Sequence, residues 1–175
     1  MSVNLSAANV TDLDLPAKVT AALARHGLPP RALTLELVED TLMNNPERAR
    51  SVLGEVRGAR VATSIDDYGT GYSSLAYLRH LPADELKLDR AFLEDLATDS
   101  RASAIVEHTV GLAHALGLRL VAQGVEDLVT AEVLAALGCD VAQGFAIARP
   151  MPFDDLLVWL RASQGRSALP VPAAV

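Results

Sequence analysis

The stretch VATSIDDYGTG, residues 61–71, decides the fold. Val61 to Ile65 reads as a short apolar strand, and that strand delivers Asp66 and Asp67 side by side into a glycine loop. Adjacent carboxylates repel each other and are costly to hold together unless a cation lies between them. An Asp pair before glycine is also an ordinary solvated turn, so the pair needs support from elsewhere in the chain.

Outward from this stretch the same rhythm repeats. Strands are predicted at 2–6, 33–38, 60–65, 86–88, 118–122 and 140–144. Helices are predicted between them: from Pro16 with Gly27 as a stop, from Pro46 to about Arg57, from Ser73, after Arg90, across 101–117, and in LVTAEVLAALG. A last helix, FDDLLVWLRA, is expected to pack Trp159 inward. The chain shows no evident repeat, and its Pro- and Ala-rich end, residues 164–175, reads as a disordered tail after a single domain at 1–163.

Strands alternating with helices imply an α/β fold with a parallel sheet. Polar residues choose between an open sheet and a barrel. Asn4, Glu36 and Glu39, Asp66 and Asp67, Lys87 and Asp89, Gln123 and Glu126, and Gln143 all fall at or near the carboxyl ends of strands. In an open sheet ligands meet mainly the switch point, whereas in a (β/α)₈ barrel every strand top faces one mouth. Six such strands favour a TIM-type barrel, incomplete as given, with its first two strands missing.

Composition limits the chemistry. The net charge of −7 argues against a nucleic-acid surface. It does not exclude a phosphate ligand, because bound cations would supply positive charge. The one cysteine, Cys139, offers neither a disulfide nor a thiolate cage, and the four histidines lack metal-ligand spacing. No apolar run has the length of a membrane span, and no signal peptide is evident, so a cytoplasmic location is expected.

Glu36 interrupts an apolar strand, and a buried acid is costly unless paired or metal-bound. Alternation groups Glu36 with Val38, and Leu35 with Leu37. Glu39 is either a helix-start acid or an outer hydrogen-bond acceptor. Asn4 is a neutral oxygen donor that backbone could equally satisfy. Lys87, between Leu86 and Leu88, is either an edge-strand charge or a phosphate contact. Together these groups describe an oxygen-lined site for Mg²⁺ or Mn²⁺ acting on a phosphate ester.

The stretches SVNLSA, LELVED, IDDYGTGYSSLAYL, ELKLDRAFL, VAQGVED and VAQGFAIARPMP come in order through Pro152, and through them the chain resembles the EAL domain family of cyclic di-GMP phosphodiesterases. The resemblance implies a TIM-type barrel whose first strand runs antiparallel to the rest. It also implies hydrolysis of cyclic di-GMP to the linear dinucleotide pGpG with Mg²⁺ or Mn²⁺. It assigns Asn4, Glu36, Asp66 and Asp67 to metal binding and Lys87 to the neighbourhood of the attacking water and the scissile phosphate. Glu39 would hold the DDYGTG loop, and the DDYGTGYSSL region would form a homodimer interface. Asp89, Glu126 and Gln143 fall on the substrate side.

Two departures qualify that reading. The E-A-L strand, with its metal-binding glutamate, is absent from the sequence as given. The family's AEGVE reads AQGVE here, so Gln123 stands at the general-base position. An amide takes no proton at neutral pH, and losing a general base typically costs about 10²–10⁴-fold in rate. The expected function is thus an impaired phosphodiesterase domain. The alternatives are a non-catalytic cyclic di-GMP receptor or protein-interaction module, or a chain that needs a partner to cover its sheet edges.

Overall fold

The computed structural model describes residues 1–38, 45–69 and 78–163. Among them, strands β1 (Ser2–Leu5), β2 (Thr34–Val38), β3 (Ala62–Tyr68), β4 (Glu85–Leu88), β5 (Arg119–Gln123) and β6 (Val141–Gln143) alternate with helices. The helices are α1 (Ala7–Val10), α2 (Leu15–Arg25), α3 (Pro46–Gly58), α4 (Ser100–Ala115), α5 (Leu128–Ala136) and α6 (Phe153–Ser163). Local chemistry starts several of them. Asn45 Oδ1 accepts from Arg48 N at the head of α3 (3.3 Å) with Pro46 just inside. Asp127 Oδ1 accepts from Thr130 N at the head of α5 (2.8 Å).

Two compact units divide the chain: Met1–Asp89 with Ala113–Leu120, and Arg90–Leu112 with the residues from Val121 onward. In the first, β1, β2, β3 and β4 pair with their chain neighbours, all parallel. Leu35 and Leu37 are buried on β2, as are Leu86 and Leu88 on β4. Sheets covered by helices read as apolar runs of this kind. Leu23, Leu33, Leu35, Val56 and Val61 form one core cluster under α2 and α3. In the second unit β5 and β6 pair in parallel, and Val106, Val125, Ala131 and Leu134 are buried.

Several expectations need correction. The third strand does not stop at Ile65. It runs through both aspartates to Tyr68, and its register against β4 slips between Ile65 and Tyr68. Glu36 is buried, and Val38, which alternation places on the same face, is exposed at the end of the strand. After β4 the chain forms a 3-10 turn, Arg90–Leu93, and Asp95 at φ 54° leaves the helical region soon after it. The short helix α1 is set by a reciprocal cap, in which Ser6 Oγ accepts from Asn9 N and Asn9 Oδ1 from Ser6 N. Four residues are too few to show a helical period. Trp159 is only half-buried, and α6 has no fully buried residue. The expected helix from Ser73, Glu39 and the 164–175 tail lie outside the described residues.

Candidate functional site

Register builds the site. Asn4 pairs with Glu36 across β1 and β2, and Glu36 pairs with Ser64 across β2 and β3. Side chains on a strand alternate between faces, so Asp66 shares a face with Ser64 and hence with Glu36. Ser64 also pairs with Glu85, which sets Lys87 on that same face of β4. Lys87 Nζ lies 2.9 Å from Glu36 Oε1 and 3.1 Å from Asp66 Oδ1. These side chains are 5%, 11% and 13% exposed, respectively.

One ammonium thus bridges two nearly buried carboxylates, an arrangement whose Coulomb energy is far larger than at a surface. Lys87 is no edge-strand charge. The neutral Asn4 stands in the same row, on exposed β1. Ser64 Oγ is buried and has no hydrogen-bond partner among the described residues. An orphan hydroxyl costs free energy and calls for a polar occupant.

The β3 bulge accounts for the double aspartate. In a regular strand Asp66 and Asp67 would face opposite sides, but the extra residue re-aims the chain. Asp67 takes φ 56°, in the left-handed region. Its carboxyl is held above the usual aspartate range first by burial, then by the charges of Asp66 and Asp89, with Lys87 partly offsetting them. Asp67 and Asp89 are therefore electrostatic neighbours of the ion-paired cluster.

Apart from the Lys87 ammonium, which cannot ligate a cation while protonated, the side chains in this row carry oxygen donors and no imidazole or thiolate, which suits a hard divalent cation. The carboxylates already stabilise one positive charge, and the orphan Ser64 hydroxyl lies beside Glu36 in register. The donor set fits such an ion. Among the described residues no three His, Cys, Asp or Glu side chains close into a cage; Glu36 and Asp66 share Lys87 instead.

The second unit holds the remaining predicted residues. Val121, Ala122 and Gln123 pair in register with Val141, Ala142 and Gln143. The chain therefore does contain a repeat, VAQG at 121–124 and 141–144, and it sets two carboxamides side by side at the ends of β5 and β6. The glycine after each glutamine is sterically required. A Cβ on Gly144 would stand 2.2 Å from Val125 O, and one on Gly124 would stand 2.6 Å from Arg90 Cβ. Glu126 is exposed and, with Arg90, Glu94, Gly124, Asp127 and Thr130, lines a pocket of about 320 Å³. Ser64 and the bulge escaped the sequence reading. A serine two residues before Asp66 was the available signal, since that spacing shares a face.

The EAL domain family matches residues 1–150. A bifunctional diguanylate cyclase/cyclic di-GMP phosphodiesterase, MucR of Pseudomonas aeruginosa, is 46% identical over 157 residues, covering 90% of this chain and 23% of that protein. The solved structure of the MucR phosphodiesterase in complex with c-di-GMP aligns with a TM-score of 0.80 at 46% identity, covering 89% of this chain and 63% of that one. Klebsiella pneumoniae BlrP1, in a manganese and cyclic di-GMP complex, aligns with a TM-score of 0.78 at 31% identity, covering 85% and 38%. The chain spans about a fifth to two fifths of the length of the curated relatives it matches.

Proposed function

Because the chain belongs to the EAL domain family, we propose that it contributes the metal- and phosphate-binding half of a cyclic di-GMP phosphodiesterase, in a domain running to the end of α6. The observation that carries this reading is the Glu36–Lys87–Asp66 cluster with Asn4 in register beside it. Similarity to the MucR and BlrP1 complexes supports the choice of substrate. The Mn²⁺ in the BlrP1 complex supports a divalent cation, Mg²⁺ or Mn²⁺.

Asn4, Glu36 and Asp66 would hold one cation, and Asp67 a second. A divalent cation bound there would neutralise phosphate charge and make a coordinated water more acidic. The side chains themselves do the rest. Lys87 holds its ammonium between the two acids, 2.9 and 3.1 Å away, and so keeps a fixed positive charge for a phosphodiester. Burial of the three groups strengthens that charge and excludes bulk water. Asp89, Gln143 and Glu126 would contact substrate. Gln123 carries no proton-accepting carboxylate, which makes this chain a slow hydrolase.

The test is to incubate the chain with Mn²⁺ and cyclic di-GMP, reading the linear dinucleotide by chromatography and binding by calorimetry. Turnover that disappears on Asp66→Asn supports the proposal. Neither binding nor turnover at millimolar Mn²⁺ would overturn it. The Gln123–Gln143 amide pair favours a second reading, a receptor that binds without hydrolysis. Saturable binding with no product would select it. Dimerisation through the 66–75 region and a cytoplasmic location complete the proposal. Among the described residues, no helix is long and apolar enough to cross a membrane.

A further inference from the structure

Among the described residues, four helices close in the same way, and one of them breaks the residue rule. After α2, α4 and α5 the chain turns through Gly27, Gly117 and Gly138 at φ 63°, 74° and 84°. In each case the next residue's N–H reaches back to the helix: Leu28 to Leu23 O (2.9 Å), Leu118 to Ala113 O (2.9 Å) and Cys139 to Leu134 O (3.0 Å). The residue in the turn bonds one residue further along, as in Gly27 N to Ala24 O (3.1 Å). This is the Schellman closure, in which glycine is strongly preferred. Helix α3 closes identically, with Val61 N on Val56 O (3.3 Å) and Arg60 N on Arg57 O (2.8 Å). Its turn residue is Arg60, at φ 64°. A side chain in that conformation is unfavourable relative to glycine.

The side chain retained there lies beside others of its kind. Arg31, Arg57 and Arg60 line a pocket of about 240 Å³ with Val61, Ala62 and Asp84. The pocket is at the amino-terminal end of β2, β3 and β4, the opposite end from Glu36, Asp66 and Lys87. Asp84 is already committed. Its Oδ1 accepts from Arg57 Nε (3.1 Å) and Nη2 (2.8 Å), and its Oδ2 accepts from Thr63 N (2.9 Å). Asp84 also fixes the Arg57 fork in place. Arg31 and Arg60 have no ion-pair partner among the described residues. Three guanidiniums against one carboxylate leave two positive charges in a pocket of a chain whose net charge is −7.

A basic residue near a helix C-terminus is ordinarily explained by the helix dipole. That explains Arg57 in the last turn of α3. It does not explain Arg60, since an ordinary position in the last turn would serve the dipole without the left-handed backbone. Nor does it explain Arg31, which belongs to the turn before β2.

We propose that this pocket is an anion site for a phosphate group, separate from the site at the carboxyl ends of the strands. Guanidinium forks match phosphate oxygens two at a time, and a phosphate dianion balances the two uncompensated charges. A carboxylate would leave one of them unmet. The pocket is small beside those that enclose drug-sized ligands, which suits a phosphate or a short phosphate ester entered by its phosphate end.

Calorimetric titration of the chain with inorganic phosphate and with adenosine 5′-monophosphate, both in EDTA, tests this. The variants are Arg60→Gly and Arg31→Ala, with Lys18→Ala as a control for general charge. Arg60→Gly separates binding from folding, because glycine relieves the backbone. Its melting temperature without phosphate is expected to rise, while its affinity falls about tenfold or more, as expected for one lost charge-assisted contact. Arg31→Ala is expected to weaken binding similarly, and Lys18→Ala to leave it unchanged. Tighter binding of the nucleotide would identify an ester ligand, and equal binding the phosphate group alone. No saturable binding of either probe, wild-type affinity in both arginine variants, or a lower melting temperature for Arg60→Gly would overturn the proposal.

Discussion

Gln123 is the register partner of Gln143, so two neutral carboxamides end neighbouring parallel strands. Each is followed by a glycine that a neighbouring atom would not allow to be anything larger. The backbone around Gln123 is therefore tightly specified.

That makes Gln123→Glu a clean substitution. It restores a proton acceptor with almost no change in volume, on a backbone already held by β6 and the glycine. With Mn²⁺ present, turnover of cyclic di-GMP is expected to rise about 10²–10⁴-fold, the usual contribution of a general base. Product formation measured side by side with the unmodified chain checks it. Equal rates in the two proteins would remove Gln123 from the chemistry.

Lys87 makes a different prediction, about stability. Its ammonium is the shared partner of Glu36 and Asp66, all three nearly buried. Lys87→Met leaves two carboxylates facing each other without a cation. Breaking a buried ion pair from one side costs about 3–5 kcal/mol. Adding Glu36→Gln to Lys87→Met should recover a large part of that loss, since one buried charge is removed as well. Urea melts of the single and double variants measure both steps.

The same cluster predicts a response to metal. A cation that binds only the folded chain stabilises it by mass action, about 2.7 kcal/mol at one hundred times its dissociation constant. Mg²⁺ or Mn²⁺ is therefore expected to raise the melting temperature of the unmodified chain in a saturable way. Asp66→Asn and Asn4→Ala should each flatten the response. The rise should be steeper in Lys87→Met, whose uncompensated acids have the greater need of a cation. Thermal melts across a metal titration distinguish this from general ionic strength, which NaCl reproduces.

The parts of this architecture legible beforehand were those written in short range. Apolar runs such as TLELV and ELKL located strands, and an acid and a lysine inside them pointed to a site, because neither is stable there alone. The ion pair joining them was not legible, since Glu36 and Lys87 meet only through the register of β2, β3 and β4. The bulge at Asp66–Asp67 was hidden for the same reason: pairing with β4 defines it. VAQG is too short to stand out as a repeat until β5 and β6 lie in register. The helix expected from Pro46 to about Arg57 runs through Gly58 and turns at Arg60. Where a residue contradicts local preference, as Arg60 and Glu36 do, tertiary context supplies the reason.

Asp127 gives a pH prediction with a definite sign. Its carboxylate caps α5, with Oδ1 accepting from Thr130 N (2.8 Å) and Oδ2 from Thr130 Oγ1 (2.9 Å). The bond from the Thr130 backbone, then that from its hydroxyl, holds its carboxyl below the ordinary aspartate value of 3.8. The folded chain therefore binds this proton more weakly than the unfolded chain. The cap's contribution is complete above the unfolded value and is lost as pH falls through the lower, folded one. Asparagine is an equally good capping residue that does not titrate in this range. The stability difference between the unmodified chain and Asp127→Asn should thus be constant from about pH 5 to 7 and shift against the unmodified chain below about pH 4. Denaturant melts of both proteins at each pH measure it, and a difference that stays constant down to pH 2 would mean that Asp127 does not cap α5 as a carboxylate.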